Sequence, residues 1–144
     1  MPEQDFANHS RFYPPFHFFV LPVLLANFVW SLYRLKAWNY SLDGFLAVAV
    51  AAALLVGFVS VRIFALTVQD RVIRLEEQLR YARLLPADLQ ARIGEFTIGQ
   101  FVALRFASDA ELSALARKVL DEKLKERNTI KRLVKNWKPD FLRV

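Results

Sequence analysis

The sequence predicts an all-α membrane protein, a two-helix transmembrane hairpin followed by a cytoplasmic tail of short amphipathic helices. Three observations predict it: two charge-poor apolar runs lie close together near the N-terminus, aromatic residues flank them, and charge is concentrated after them. From Phe16 to Val61 the only formally charged residues are Arg34, Lys36 and Asp43. From Gln69 onward sixteen Lys or Arg stand against eleven Asp or Glu, which holds five of the chain's six net positive charges. Hydrophobic residues make up 55% and charged residues 24% of the 144, values that fit together when the two kinds are segregated along the chain. That length leaves room for one compact unit rather than two independent soluble domains. With no cysteine, disulfides, thiolate metal sites and cysteine nucleophiles are excluded.

Residues 1–15 are read as an N-terminal cytoplasmic segment. A cleavable leader is not expected, because Glu3 and Asp5 precede the apolar run with only Arg11 as a fixed cation, and no small-x-small pattern follows it. The first span, residues 16–33, has no formal charge and reaches ~27 Å at the helical rise, enough for a hydrocarbon core of ~30 Å. Pro14 and Pro15 suit a first helical turn, where a missing N–H costs nothing. Pro22 lies inside the span and is expected to kink it, leaving the Phe18 carbonyl without its donor. Residues 34–41 form the extracytoplasmic loop.

The second span, residues 42–61, carries Asp43 at its start and is then free of charge. Ala49, Ala53 and Gly57 recur four apart and so share one helix face, where small residues let two backbones approach within lipid. The partner of that face is the first span, another subunit or a second copy. Phe16, Phe18 and Phe19 at one end, and Trp30, Tyr33, Trp38 and Tyr40 at the other, are placed as interfacial aromatics are. Arg34 and Lys36 in the loop are outnumbered by Arg11, Arg62, Arg71, Arg74 and Arg80 on the opposite side. The excess puts both termini of this multi-pass membrane protein in the cytoplasm and the loop outside. Arg62, one position beyond the apolar run, is expected to snorkel to lipid phosphates.

Residues 62–144 form the helical tail. Neither Gly nor Pro occurs from Ser60 to Leu85, so the second span is expected to continue unbroken into a charged helix. Val68, Val72, Leu75, Leu79 and Ala82 are spaced four, three, four, three, a heptad-like stripe; two heptads are too few to claim an oligomeric coiled coil, and packing against the rest of the tail is the expectation. Asp70 with Arg74, and Glu76 with Arg80, are expected as i,i+4 pairs on the exposed face. Pro86 ends this helix, and a short helix follows from about Ala87 to Phe96. Thr97 is the predicted cap of the next helix, and Ser108 with Glu111 the predicted capping box of the one after.

Asn128 is the predicted cap of the last helix, with Ile130, Leu133, Val134 and Trp137 on one face and Pro139 as its stop. Lys131, Arg132, Lys135 and Lys138 on that helix suit either an anionic lipid surface or simple solvation, while Trp137 and its apolar neighbours seat the helix on lipid or in the tail's own core.

Catalytic signatures are missing. The four glycines are dispersed, with no phosphate-binding loop, no GxGxxG and no HExxH, so the expected protein is not an enzyme. His9 and His17, flanking the start of the first span, are candidate ligands for a haem or a chlorophyll-type pigment, against the commoner interfacial hydrogen bond. No other cofactor is implied. The segment IGQFVALRFA offers only Gln100 and Arg105 to base edges, so nucleic acid is not an expected partner. Membrane lipids and membrane-protein partner subunits are.

The words NHSRFYPPFHFF, RIFALTVQDRVIRLEE, RIGEFTIGQFVALRFASDAEL and IKRLVKNWKPDFLRV occur in that order across nearly the whole chain. They resemble a family of small two-span bacterial inner-membrane proteins of unknown function. The resemblance implies two spans and a cytoplasmic helical tail, and it supplies no activity, cofactor or catalytic residue. Members carry transporter-permease labels, yet two spans cannot build a conventional permease core. The expectation is a non-enzymatic accessory or scaffold subunit of a larger membrane complex. The alternatives are an anionic-lipid-binding module and a pigment carrier.

Overall fold

The computed structural model describes Asp5, Phe6 and residues 13–140. Among the described residues the chain is helical, with one isolated antiparallel bridge, Ala107 to Trp137, as its only extended pairing. It divides into two compact units, one over residues 13–66 and one over residues 67–140 that also takes in Asp5 and Phe6. The expectation of a single compact unit is thereby replaced by two.

In the first unit a π-helical turn, Pro15–Val20, leads into α1, Leu21–Ala37. Pro22, where a kink is expected, follows directly on this wider turn. A proline ring clashes with the carbonyl four residues back and has no N–H to give it. A wider turn relieves that conflict, and the Leu21 N–H accordingly reaches back five residues to the Phe16 carbonyl. Together these helices make a stretch of 23 residues, longer than the expected 16–33.

The connection to α2 shrinks to Trp38–Ser41. Asn39 and Tyr40 adopt positive φ, 49° and 56°, so the chain reverses within two residues. α2 runs Leu42–Leu84 for 43 residues without a break, as the lack of Gly and Pro after Ser60 predicted. Both stretches are long and apolar enough to cross a membrane. The two helices approach closely at Gly44, where an added Cβ would come within 2.9 Å of Leu35 Cδ1. At the other end Phe16 stacks on Phe58 with ring centroids 5.4 Å apart.

The second unit is built on the end of α2. Leu84 is its last residue, and Pro86 turns extended to start α3, Ala87–Gln90. The single helix expected to Phe96 is instead α3, a turn, and a 3-10 turn at Ile93–Glu95. α4, Ile98–Leu104, is capped by Thr97 and Gln100 in a complete capping box. Its sequence is apolar apart from Gln100, and the structure puts it in the centre, packed against both α5, Asp109–Asp121, and α6, Arg127–Leu133. The core is formed by Tyr81, Leu89, Phe101, Leu104, Leu112, Val119 and Ile130, with Tyr81, Phe96 and Phe101 in mutual ring contact.

Candidate functional site: an open hairpin face and a buried ionic cluster

In the hairpin unit Gly44 and Ala51 are the buried positions of α2, seven residues apart on one face. Ala49, Ala53 and Gly57 are all exposed, and a Cβ added at Gly57 would meet nothing within 4 Å. The small-residue face therefore does not pack on α1 and is left open. Arg62 lies half-buried with its guanidinium 5.8 Å from the centroid of the Phe16 ring, a cation–π contact that fixes the side chain within the unit.

The His17 Nδ1 lies 3.0 Å from the Tyr13 carbonyl oxygen, within hydrogen-bond distance. Its ring meets Phe16 edge-on. His9 lies outside the described residues. Among the described residues no three His, Cys, Asp or Glu side chains gather as a metal site.

In the tail unit the apolar stripe expected to form its seam is exposed. Val68, Val72, Leu75 and Leu79 range from 47% to 70% accessible, and Ala82 is exposed with them. The buried face of this part of α2 is the opposite one, carrying Ile73, Glu77, Arg80, Tyr81 and Leu85. Two of the expected surface pairs change with it. Asp70 bonds Arg127 rather than Arg74, at 3.1 Å. Arg80 pairs with Glu77 rather than Glu76, at 3.1 Å, and with Asp109 at 2.6 Å.

Arg80 is the hub of this arrangement. Its Nη2 also donates to the Ala107 carbonyl at 2.6 Å, so one guanidinium ties α2 to the segment opening α5. The planar fork of arginine suits such a divided task. Burial pushes the Glu77 carboxyl above the usual carboxylate range, against the pull of Arg80. Hydrogen bonding from Arg80 holds Asp109 below it. Beside this cluster the Tyr81 hydroxyl is buried without a hydrogen-bond partner among the described residues, and burial raises its pKa well above that of a free phenol.

The C-terminal basic helix is shorter than predicted. Glu126, not Asn128, caps it, its carboxylate accepting from the Asn128 and Thr129 N–H groups. The helix ends at Leu133, and the following chain is extended. The Lys138 N–H donates to the Phe106 carbonyl at 2.7 Å, and the Lys135 and Asn136 N–H groups donate to the Glu111 carboxylate. Those bonds compete with further helical turns.

The four cations therefore do not share one helix face. Lys131 is buried with its ammonium 5.4 Å from the Phe106 ring, while Arg132, Lys135 and Lys138 are exposed. Trp137 packs on Phe106 at 4.9 Å, inside the unit. Gln100 and Arg105 are both buried as well, Gln100 donating to the Leu124 carbonyl and Arg105 paired with Asp140 at 3.2 Å.

A family profile described as "Family of unknown function (DUF6526)" matches residues 1–144. The chain belongs to this family. No curated protein and no solved structure matches it significantly. Membership agrees with the resemblance to a family of unknown function read from the sequence, and it brings no activity and no ligand.

The Glu77–Arg80–Asp109 cluster escaped the sequence reading. Its only local signal is a Glu and an Arg three apart on the face opposite an apolar stripe, a pattern ordinarily solvated. Nothing near α2 in the sequence announces that Asp109 will close over it.

Proposed function

We propose that the chain is a non-enzymatic accessory or scaffold subunit of a larger bacterial inner-membrane assembly, docking through its transmembrane hairpin and holding both termini in the cytoplasm. The observation that carries this reading is the open face of α2. With α1 seated on the Gly44 and Ala51 face, the small-residue face at Ala49, Ala53 and Gly57 is left available for another transmembrane helix. The hairpin's large apolar side chains, Phe18, Phe19, Val56 and Val61 among them, are more than 60% accessible and suit lipid. The excess of Arg on the side of the termini supports the orientation.

Purification of the full chain in mild detergent tests the docking. A co-purifying membrane protein lost on Ala53→Leu with Gly57→Leu, while the variant still inserts, supports it. A monomer with no partner overturns it. Orientation is read separately, since the sequence has no cysteine of its own. A cysteine at Asn39 should react with an impermeant maleimide from outside intact cells, and one at Lys123 should not.

A further inference from the structure

We propose that two copies of this chain associate in parallel through the exposed apolar face of α2 that carries Val68, Val72, Leu75, Leu79 and Ala82. A contiguous apolar patch left open on a charged helix marks an interaction surface more often than chance exposure. Its four-three spacing is the seam of a coiled coil, with Val72 and Leu79 at a positions and Val68, Leu75 and Ala82 at d. A β-branched residue at a beside leucine at d, as in Val72 and Leu75, favours two strands.

The tail leaves the apolar side chains of this seam exposed, and on one flank Arg71, Leu75 and Gln78 share an open groove with Ile98 and Arg127. Ile73, Glu77, Arg80 and Tyr81, which it buries, fall at the outer b, c and f positions.

Charge selects the occupant. In this register Arg71 stands at g and Glu76 at the next e, five residues on. A parallel two-stranded pair brings each g side chain beside the e side chain of the following heptad on its partner. Two copies therefore form an Arg71–Glu76 pair on each flank of the seam. Both side chains are exposed, and neither has an ion-pair partner among the described residues. The parallel sense rests on the membrane insertion proposed above, since copies inserted the same way run the same way. A seam of ~22 Å is short for water. Confinement to one membrane raises the effective concentration of its partner and offsets that weakness.

The test uses the full chain in its membrane, with single cysteines at Val72, Leu75 or Leu79 on the seam and at Arg74 or Leu84 off it. Mild oxidation should give a disulfide-linked dimer at the seam positions at yields ~5-fold or more above the off-seam positions, because a disulfide needs Cβ atoms ~4 Å apart. With the cysteine at Leu79, Glu76→Arg should lower the yield several-fold, and Arg71→Glu combined with Glu76→Arg should restore it. Equal yields on and off the seam, no dimer, or an adduct with a different protein each overturn the proposal, and so does a double charge swap that fails to restore. Alkaline extraction of the same membranes reads insertion separately, so that failure to insert is distinguished from failure to pair.

Discussion

The two units of this chain treat the same residue types in opposite ways. In the hairpin unit Phe18, Phe19, Val56 and Val61 are exposed, and the buried positions of α2 are Gly44 and Ala51. In the tail unit Phe101, Phe106 and Val119 are fully buried, and charge is carried at the surface and in one internal cluster. The difference is one of which side chains each unit encloses. On the membrane reading proposed above, small residues inside and large apolar ones outside suit a pair of helices in lipid, where packing rather than water drives association. The tail excludes water by itself, with its central α4 wrapped by its neighbours.

The largest expected effects break the tail. Phe101→Ala should cost about 3–5 kcal/mol of tail stability, while Phe19→Ala should change hairpin stability by less than about 0.5 kcal/mol. Amide exchange of the detergent-solubilised chain, read unit by unit, makes the comparison. Equal losses at the two sites would show that the hairpin is buried against protein rather than lipid.

Arg80→Met removes the partner of a buried carboxylate and should cost about 3–5 kcal/mol, much of it regained when Glu77→Leu is added. A full loss persisting in the double variant would mean that the cluster is held by something other than its own charges.

Tyr81→Phe runs the other way. A buried hydroxyl without a partner costs about 1–3 kcal/mol, so the variant should melt higher than the parent. A lower melting temperature would reveal a partner for that oxygen.

The smallest effect is on pH dependence. Asp109 has its folded pKa lowered by Arg80, so its contribution is present above the unfolded pKa and is lost as pH falls through the folded one. Glu77 has its folded pKa raised by burial, so its ionisation removes stability as pH rises from the unfolded value through the folded one. Stability of the tail should therefore peak on the acid side of neutrality. Glu77→Gln should flatten the fall toward neutral pH, and Asp109→Asn the fall toward acid, the latter only slightly because that carboxylate is largely solvent-exposed. Melting temperatures across the acid range check both slopes.

Helical class, the two long apolar stretches, the unbroken course of α2, the cap at Thr97 and the Ser108 N–H bond to Glu111 were legible because each depends on residues near in sequence. A charge-free run is apolar wherever it lies, and a Thr three positions before Gln100 forms its box locally. The last helix misled the sequence reading, because the Glu111 carboxylate and the Phe106 carbonyl, both distant in the chain, claim N–H groups that periodicity assigned to a further helical turn.

The choice of faces on α2 belonged wholly to tertiary structure. Periodicity located an apolar stripe at Val68–Ala82 and a small-residue face at Ala49–Gly57, and it identified both as surfaces for packing. It could not say which surface the chain's own helices would cover. The tail buries Glu77 and Arg80 because Asp109 and the Ala107 carbonyl arrive to satisfy them, and α1 seats on Gly44 because the sharp turn at Asn39 and Tyr40 brings Leu35 there. Sequence determines which residues want burial; the fold decides which of them are still waiting for it.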